Sequence, residues 1–142
     1  MTVVIRHQME GWVREGDKNQ AAAKDKIERD VAARLNFRVF FISINGKDPS
    51  DELINRFRDI PRSIRKISSE RPRKGPHTPI DRTTGIPGII FSADAIRWQT
   101  KDLVEVEGGY YCGGLCAAGI TFKVERQNGK WLVKGSRMNW IS

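Results

Sequence analysis

Asn128-Gly129 constrains this chain more than any other pair of residues. Both central positions of a two-residue type I′ hairpin turn need positive φ, which Gly and Asn tolerate best, so the pair predicts a turn that sets Gln127 against Lys130. Counting outward, Trp131 faces Arg126 and Val133 faces Val124, and Phe122 and Val124 share a side of the sheet with Trp131 and Val133. That side is expected to face the core. Thr121, Lys123, Glu125, Leu132 and Lys134 take the other side, polar except for Leu132, as in an antiparallel sheet with one face toward water.

The preceding strands repeat the alternation. Val104, Val106 and Tyr110 alternate with Glu105, Glu107 and Tyr111, and Ile96 and Trp98 alternate with Arg97 and Gln99. A loop of Thr100 to Asp102 sets Trp98 against Val104 and Ile96 against Val106, which keeps the apolar sets together. A hairpin centred on Leu115 places Tyr110 beside Ile120 and Gly108 opposite Phe122, where the glycine either lets the ring lie across it or marks a bend. Two slips of parity are visible. One falls in Ser92-Ala93-Asp94-Ala95 and predicts a β-bulge that re-aims Asp94; the other lies near Gly135 and returns Trp140 to the core face.

Before the sheet the chain reads as helix, strand, helix. Ala23, Ile27, Val31 and Leu35 recur every four residues, with Asp25 and Arg29, and Asp30 and Arg34, as acid-first pairs one turn apart, predicting an amphipathic helix from about Gln20 to Asn36. Val39 to Ile44 is apolar on both faces, as in a buried strand. Asn45-Gly46 turns the chain, and Asp48-Pro49 reads as an N-cap and first position of a second, short helix carrying Leu53, Ile54 and Phe57 and stopped by Pro61. Residues 1–19 form an N-terminal arm in which Val3 to Ile5 could add an edge strand and Trp12-Val13 could anchor the helix. Residues 71–87, with Pro72, Pro76, Pro79 and Pro87, read as a long exposed loop, bounded by a strand near Ile64 to Ser69 and another starting near Gly88.

At 142 residues a single domain, residues 1–142, is expected, with a core large enough to need no staples. No run approaches the roughly 20 apolar residues that cross a bilayer, and no apolar leader opens the chain, so a cytoplasmic protein without membrane contact is expected. The net charge of +8 is unevenly placed. Residues 1–55 carry nine basic and nine acidic side chains, whereas residues 56–74 carry eight basic ones against Asp59 and Glu70, a surplus of +6.

The expected fold is therefore α+β: a curved antiparallel sheet of four to six strands packed on an N-terminal amphipathic helix, with a second short helix. The run Val104-Glu105-Val106-Glu107-Gly108-Gly109-Tyr110-Tyr111, the Gly114-Leu115 turn, Asn128-Gly129-Lys130-Trp131 and Trp140-Ile141-Ser142 resemble an uncharacterised family of small bacterial α+β proteins. Asp48-Pro49-Ser50-Asp51-Glu52 and Thr84-Gly85 fit the same pattern, so the likeness covers roughly residues 20–142, while Cys112 and Cys116 depart from it. Similar small proteins occur in mobile integron gene cassettes. The order of elements also resembles cystatin-like and nuclear-transport-factor-two-like folds, which implies a sheet wrapped on a helix and carries little about function.

Cys112 and Cys116 lack the further ligands that a zinc or iron–sulfur site needs, so no metal and no cofactor are expected; two free thiols are the first reading and a disulfide the second. His7 and His77 read as solvated residues. Asp94 is the one candidate catalytic group, with a hydrogen-bonding role at the bulge as the plainer alternative. Trp98, Tyr110, Phe122, Trp131 and Trp140 could line a pocket, although core is the favoured reading for sheet-facing aromatics. Arg62, Arg65, Lys66, Arg71, Arg73 and Lys74 are candidate anion-binding residues for an acidic protein or nucleic acid, though no stacking aromatic lies among them.

Three functions follow in order of preference: a non-enzymatic binding or adaptor domain for an acidic partner or small ligand; a nonspecific nucleic-acid binder; and a small α+β pocket enzyme of isomerase, dehydratase or hydrolase type. A homodimer is also expected, from the fold analogy and from Leu132 and Tyr111 on the polar face.

Overall fold

The computed structural model describes residues 1–72 and 74–142. Its elements are α1 (Thr2–Ala22), α2 (Lys26–Leu35), β1 (Val39–Ile44), α3 (Asp51–Asn55), β2 (Ser63–Lys66), a 3₁₀ turn (Ile67–Ser69), β3 (Gly88–Thr100), β4 (Leu103–Gly113), β5 (Cys116–Gln127) and β6 (Lys130–Ile141). The six strands form one sheet in the order β2-β1-β3-β4-β5-β6. The fold is α+β, a long N-terminal helix and a short α3 on a mostly antiparallel sheet. No helix among the described residues is long and apolar enough to cross a membrane.

The hairpin arithmetic holds at both ends of the sheet. Asn128 and Gly129 take φ of 52° and 76°, and Gln127↔Lys130, Arg126↔Trp131 and Val124↔Val133 pair as counted. Trp98 pairs with Val104 and Ile96 with Val106, and the slip at Asp94 is a bulge in which Asp94 and Ala95 stand against Glu107 alone. The β4–β5 hairpin departs by two residues: the turn is at Gly114-Leu115 with an irregularity at Cys112, so Tyr110 pairs with Ala118, not Ile120, and Gly108 with Ile120, not Phe122. A shift of two preserves the faces, and a Cβ on Gly108 would press on the Phe122 ring, which lies diagonally across it.

β1 runs parallel to both β2 and β3. Parallel neighbours need crossover connections, which accounts for two features at once. α3 carries the chain from β1 to β2, and residues 67–87 carry it back past β1 to the start of β3. That loop is anchored by Asp81, only 1% exposed, whose carboxylate accepts hydrogen bonds from the Thr83 N–H at 3.1 Å and the Thr84 hydroxyl at 3.0 Å.

The helices differ most from expectation. Residues 2–22 are helical, with no edge strand at Val3 to Ile5, and α1 supplies the buried Val4, Ile5 and Met9. The predicted single helix from Gln20 to Asn36 is broken near Lys24 because Asp25 caps a new start: its carboxylate accepts from the Glu28 N–H, and the Glu28 carboxylate accepts from the Lys24 N–H, each at 2.7 Å. α2 has no buried residue, and Ile27, Val31 and Leu35, expected in the core, are 75%, 48% and 55% exposed. In α3 the N-cap is Ser50, whose hydroxyl accepts from the Leu53 N–H at 3.1 Å. Asp48, the expected cap, accepts from the Ser68 N–H at 2.8 Å and hydroxyl at 2.6 Å.

The core joins Val4, Ile5 and Met9 to Phe40, Ile42, Phe57, Ile89, Phe91, Val106 and Phe122. Ile5→Ala is expected to cost about 2–5 kcal/mol of stability, and Val31→Ala to stay within about 0.5 kcal/mol, measured by urea unfolding. Equal losses at the two positions would show that α2, not α1 alone, covers the sheet.

Candidate functional site

Gln8, Trp12, Glu15 and Asn19 recur at helical spacing and so share one side of α1. That side borders a groove of about 520 Å³ between α1, Ala32 and Leu35 of α2, and Tyr110, Ile120, Phe122 and Ser136 of the sheet. Its wall is aromatic: Trp12 meets Tyr110 edge-on with ring centroids 5.1 Å apart, and His7 meets Phe122 at 6.0 Å. Gln8 is 7% exposed and donates from Nε2 to the Ser92 carbonyl at 3.1 Å. Because that carbonyl can only accept, the contact fixes the amide's orientation and turns Oε1 away from Ser92. Gln8 Oε1 is buried with no hydrogen-bond partner. A buried acceptor left unmet costs about 1–3 kcal/mol.

The five aromatics foreseen as one pocket are divided among three places. Tyr110 and Phe122 line this groove. Trp98 and Trp131 pack edge-on at 5.8 Å toward the other end of the core face, near Met1 and Val3. Trp140, expected to return to the core face, lies on the outer face over Gly119, because a second irregularity in β6 skips Asn139. Trp12, read only as a helix anchor, is the aromatic that completes the groove.

Asp94 sits on the outer face with Ser92, Glu107 and Trp140, away from the groove. Its carboxyl is raised above the ordinary carboxylate range chiefly by burial and also by Glu107, against hydrogen bonds from the Asn45 and Gly46 backbone. His77, expected to be solvated, is mostly covered: Nε2 lies 3.0 Å from the Glu70 carboxylate, Nδ1 lies 2.7 Å from the Gly75 carbonyl, and its backbone N–H donates to the Tyr111 hydroxyl at 3.1 Å. Tyr111 is thereby engaged within the chain. Cys112 and Cys116, read first as free thiols, are joined in a disulfide across the Gly114-Leu115 turn.

The basic candidates also separate. Arg62 is no surface cation: its side chain is 1% exposed. Its Nε donates to the Phe37 backbone carbonyl at 2.8 Å, and Nη2 donates to Asp17 at 2.9 Å and to the Asn36 side-chain oxygen Oδ1 at 2.6 Å. A guanidinium is needed here because only its planar fork reaches α1, the end of α2 and the entry to β1 together. Arg65 lies 3.8 Å from Asp81 and Lys66 2.5 Å from Asp51. Arg71 and Lys74 are exposed, and Arg73 lies outside the described residues. No family model, curated protein or solved structure matches the chain.

Arg62→Ala is expected to destabilise by about 3 kcal/mol, since it removes a buried side chain and strands the Phe37 carbonyl and the Asn36 side-chain oxygen near the core. Thermal and urea unfolding check this, and a loss below about 0.5 kcal/mol, usual for a surface cation, would reject the clamp. The carboxylates give a signed dependence on pH. Asp17, held by Asn36 and then Arg62, Asp48, held by Ser68, and Asp59, held by Arg6, are all lowered from 3.8. The folded state binds their protons more weakly than the unfolded chain, so stability is complete above 3.8 and is lost as pH falls through the lowered values. Asp94 acts oppositely: its stabilising proton is lost as pH rises from 3.8 through its raised value. Asp59→Asn should flatten the acid limb of a stability–pH profile and Asp94→Asn the limb above it.

Proposed function

We propose that the protein is a non-enzymatic binding domain whose groove between α1, α2 and the sheet takes a small, mostly apolar molecule carrying one hydrogen-bond donor. The observation that carries this reading is the orphaned Gln8 Oε1, an oriented acceptor covered at the groove wall, where Trp12, Leu35, Tyr110, Ile120 and Phe122 lie with the polar His7, Glu15, Asn19 and Ser136. Pockets of roughly 300–1,000 Å³ lined by apolar groups with a few placed polar atoms suit small ligands. His7 and Glu15, the imidazole and carboxylate on the lining, are both exposed. Asp94, the one carboxylate considered for catalysis, lies on the other face of the sheet. These placements favour binding over a pocket enzyme.

The reading of a nucleic-acid or acidic-protein partner keeps fewer of its residues. Arg62 serves the fold and Arg65 and Lys66 have acidic neighbours, leaving Arg71 and Lys74 as exposed described members of the set.

Indole and benzothiophene test the proposal, being similar in shape but differing in the N–H donor. The native protein is expected to bind indole more tightly, with NMR shifts at Gln8, Trp12, Tyr110 and Phe122. Gln8→Leu should weaken indole by about tenfold, equivalent to about 1.4 kcal/mol, while leaving benzothiophene unchanged or tighter. Equal effects on both probes, or no binding of either, would overturn the reading.

A further inference from the structure

The outer face of the sheet carries a second depression, of about 610 Å³, that the groove does not explain. Two glycines border it, Gly108 and Gly119, and a Cβ on Gly119 would overlap the Trp140 indole. The missing side chains let Trp140 lie against the sheet while staying 55% exposed, which makes the ring a platform and not a core residue. Across the floor stand Asp94, re-aimed by its bulge, and Glu107.

The charges here are unequal in availability. Arg97 is committed to Glu107 at 2.8 Å and Glu105 at 3.2 Å. Asp94 makes no ion pair among the described residues, although the chain as a whole carries +8. Burial and the neighbouring Glu107 oppose its charged form, the Asn45 and Gly46 backbone supports it, and an incoming cation would favour it further. Arg137, on the β6 side, turns its Nε toward the Asn139 side-chain oxygen at 3.4 Å. A recessed carboxylate without a counter-ion beside an exposed indole face is the combination that attracts organic cations: the ring quadrupole and the carboxylate act on the same positive charge.

We propose that this outer-face depression is a binding site for an organic cation, an alkylammonium or guanidinium group, which rests on the Trp140 indole and pairs with Asp94. The site is separate from the groove and does not depend on that reading. The cation can belong to a free small molecule or to a side chain of another protein, and the probes distinguish the two.

Choline and a blocked Gly-Arg-Gly peptide serve as the two cationic probes and methyl glucoside as the neutral control, each titrated while following the backbone amides of Asp94, Glu107 and Gly119 by NMR, together with the indole N–H where Trp140 is present. A saturable shift with choline alone supports a free quaternary ammonium, and one with the peptide alone a protein-borne guanidinium. Asp94→Asn is expected to weaken the cation by about tenfold, and Trp140→Leu, at an exposed edge position, to weaken it similarly with the thermal midpoint retained. No saturable shift with either cation, undiminished affinity in Asp94→Asn, or equal binding of methyl glucoside overturns the proposal.

Discussion

The burial of one side of α1 against the sheet is the contact on which the rest of the molecule depends. Val4, Ile5 and Met9 are completely buried in the cluster that contains Phe40, Phe91 and Phe122. Without that helix the apolar face of a six-stranded sheet would meet water, and burial of such surface is the dominant favourable contribution to folding. The same helix face then turns from packing to lining. Val4, Ile5 and Met9 fill the core, while Gln8, Gly11, Trp12, Glu15 and Gly16 border the groove. Arg62 holds this arrangement in place, tying Asp17 of α1 to Asn36 and Phe37 where the chain leaves α2 for β1.

Close approach at that junction explains Gly16, where a Cβ would collide with the Asn36 side chain. Asn36 itself is 4% exposed and donates from Nδ2 to Asp17 at 3.0 Å and Gln20 at 2.6 Å. Polar residues therefore join α1 to the chain leaving α2, and α2 retains its exposed apolar stripe. An amphipathic pattern states that a helix has an apolar face; it does not state that this molecule's own core covers it.

That distinction separates what was legible from what was not. Period-two alternation and the Asn-Gly turns encode short-range geometry, so the registers around Asn128-Gly129 and the Asp94 bulge could be counted from residues adjacent in sequence. The Gly114-Leu115 hairpin was miscounted by two because the irregularity at Cys112 leaves no break in apolar parity. Asp25-x-x-Glu28 was a readable signal for a new helix start, and the longer periodic run from Ala23 to Leu35 masked it. Arg62 could not be found this way: it stands in a segment with a surplus of basic residues, whereas its partners in α1 and at the entry to β1 lie 25 to 45 positions earlier. The groove was half legible, since Tyr110 and Phe122 were named, but Gln8 and Trp12 come from a segment whose secondary structure the sequence left open.

The two depressions share a physical origin in the glycines of β4 and β5. Successive residues of a strand point to opposite faces, so adjacent glycines open space on both sides of the sheet at the same level. Gly108 serves the core face, where a Cβ would crowd the Phe122 ring and the Gln8 amide. Gly119 serves the outer face beneath Trp140, and Gly109, its partner across β4 and β5, serves the strand pairing, since a Cβ there would meet the Ala118 carbonyl. Glycine weakens a strand through entropy and lost packing, a cost set here against access to the sheet from both sides. A side chain introduced at 108 therefore acts on the groove, one at 119 on the outer depression, and one at 109 on the β4–β5 pairing itself. The sheet thus separates the two sites while supporting both with one run of residues.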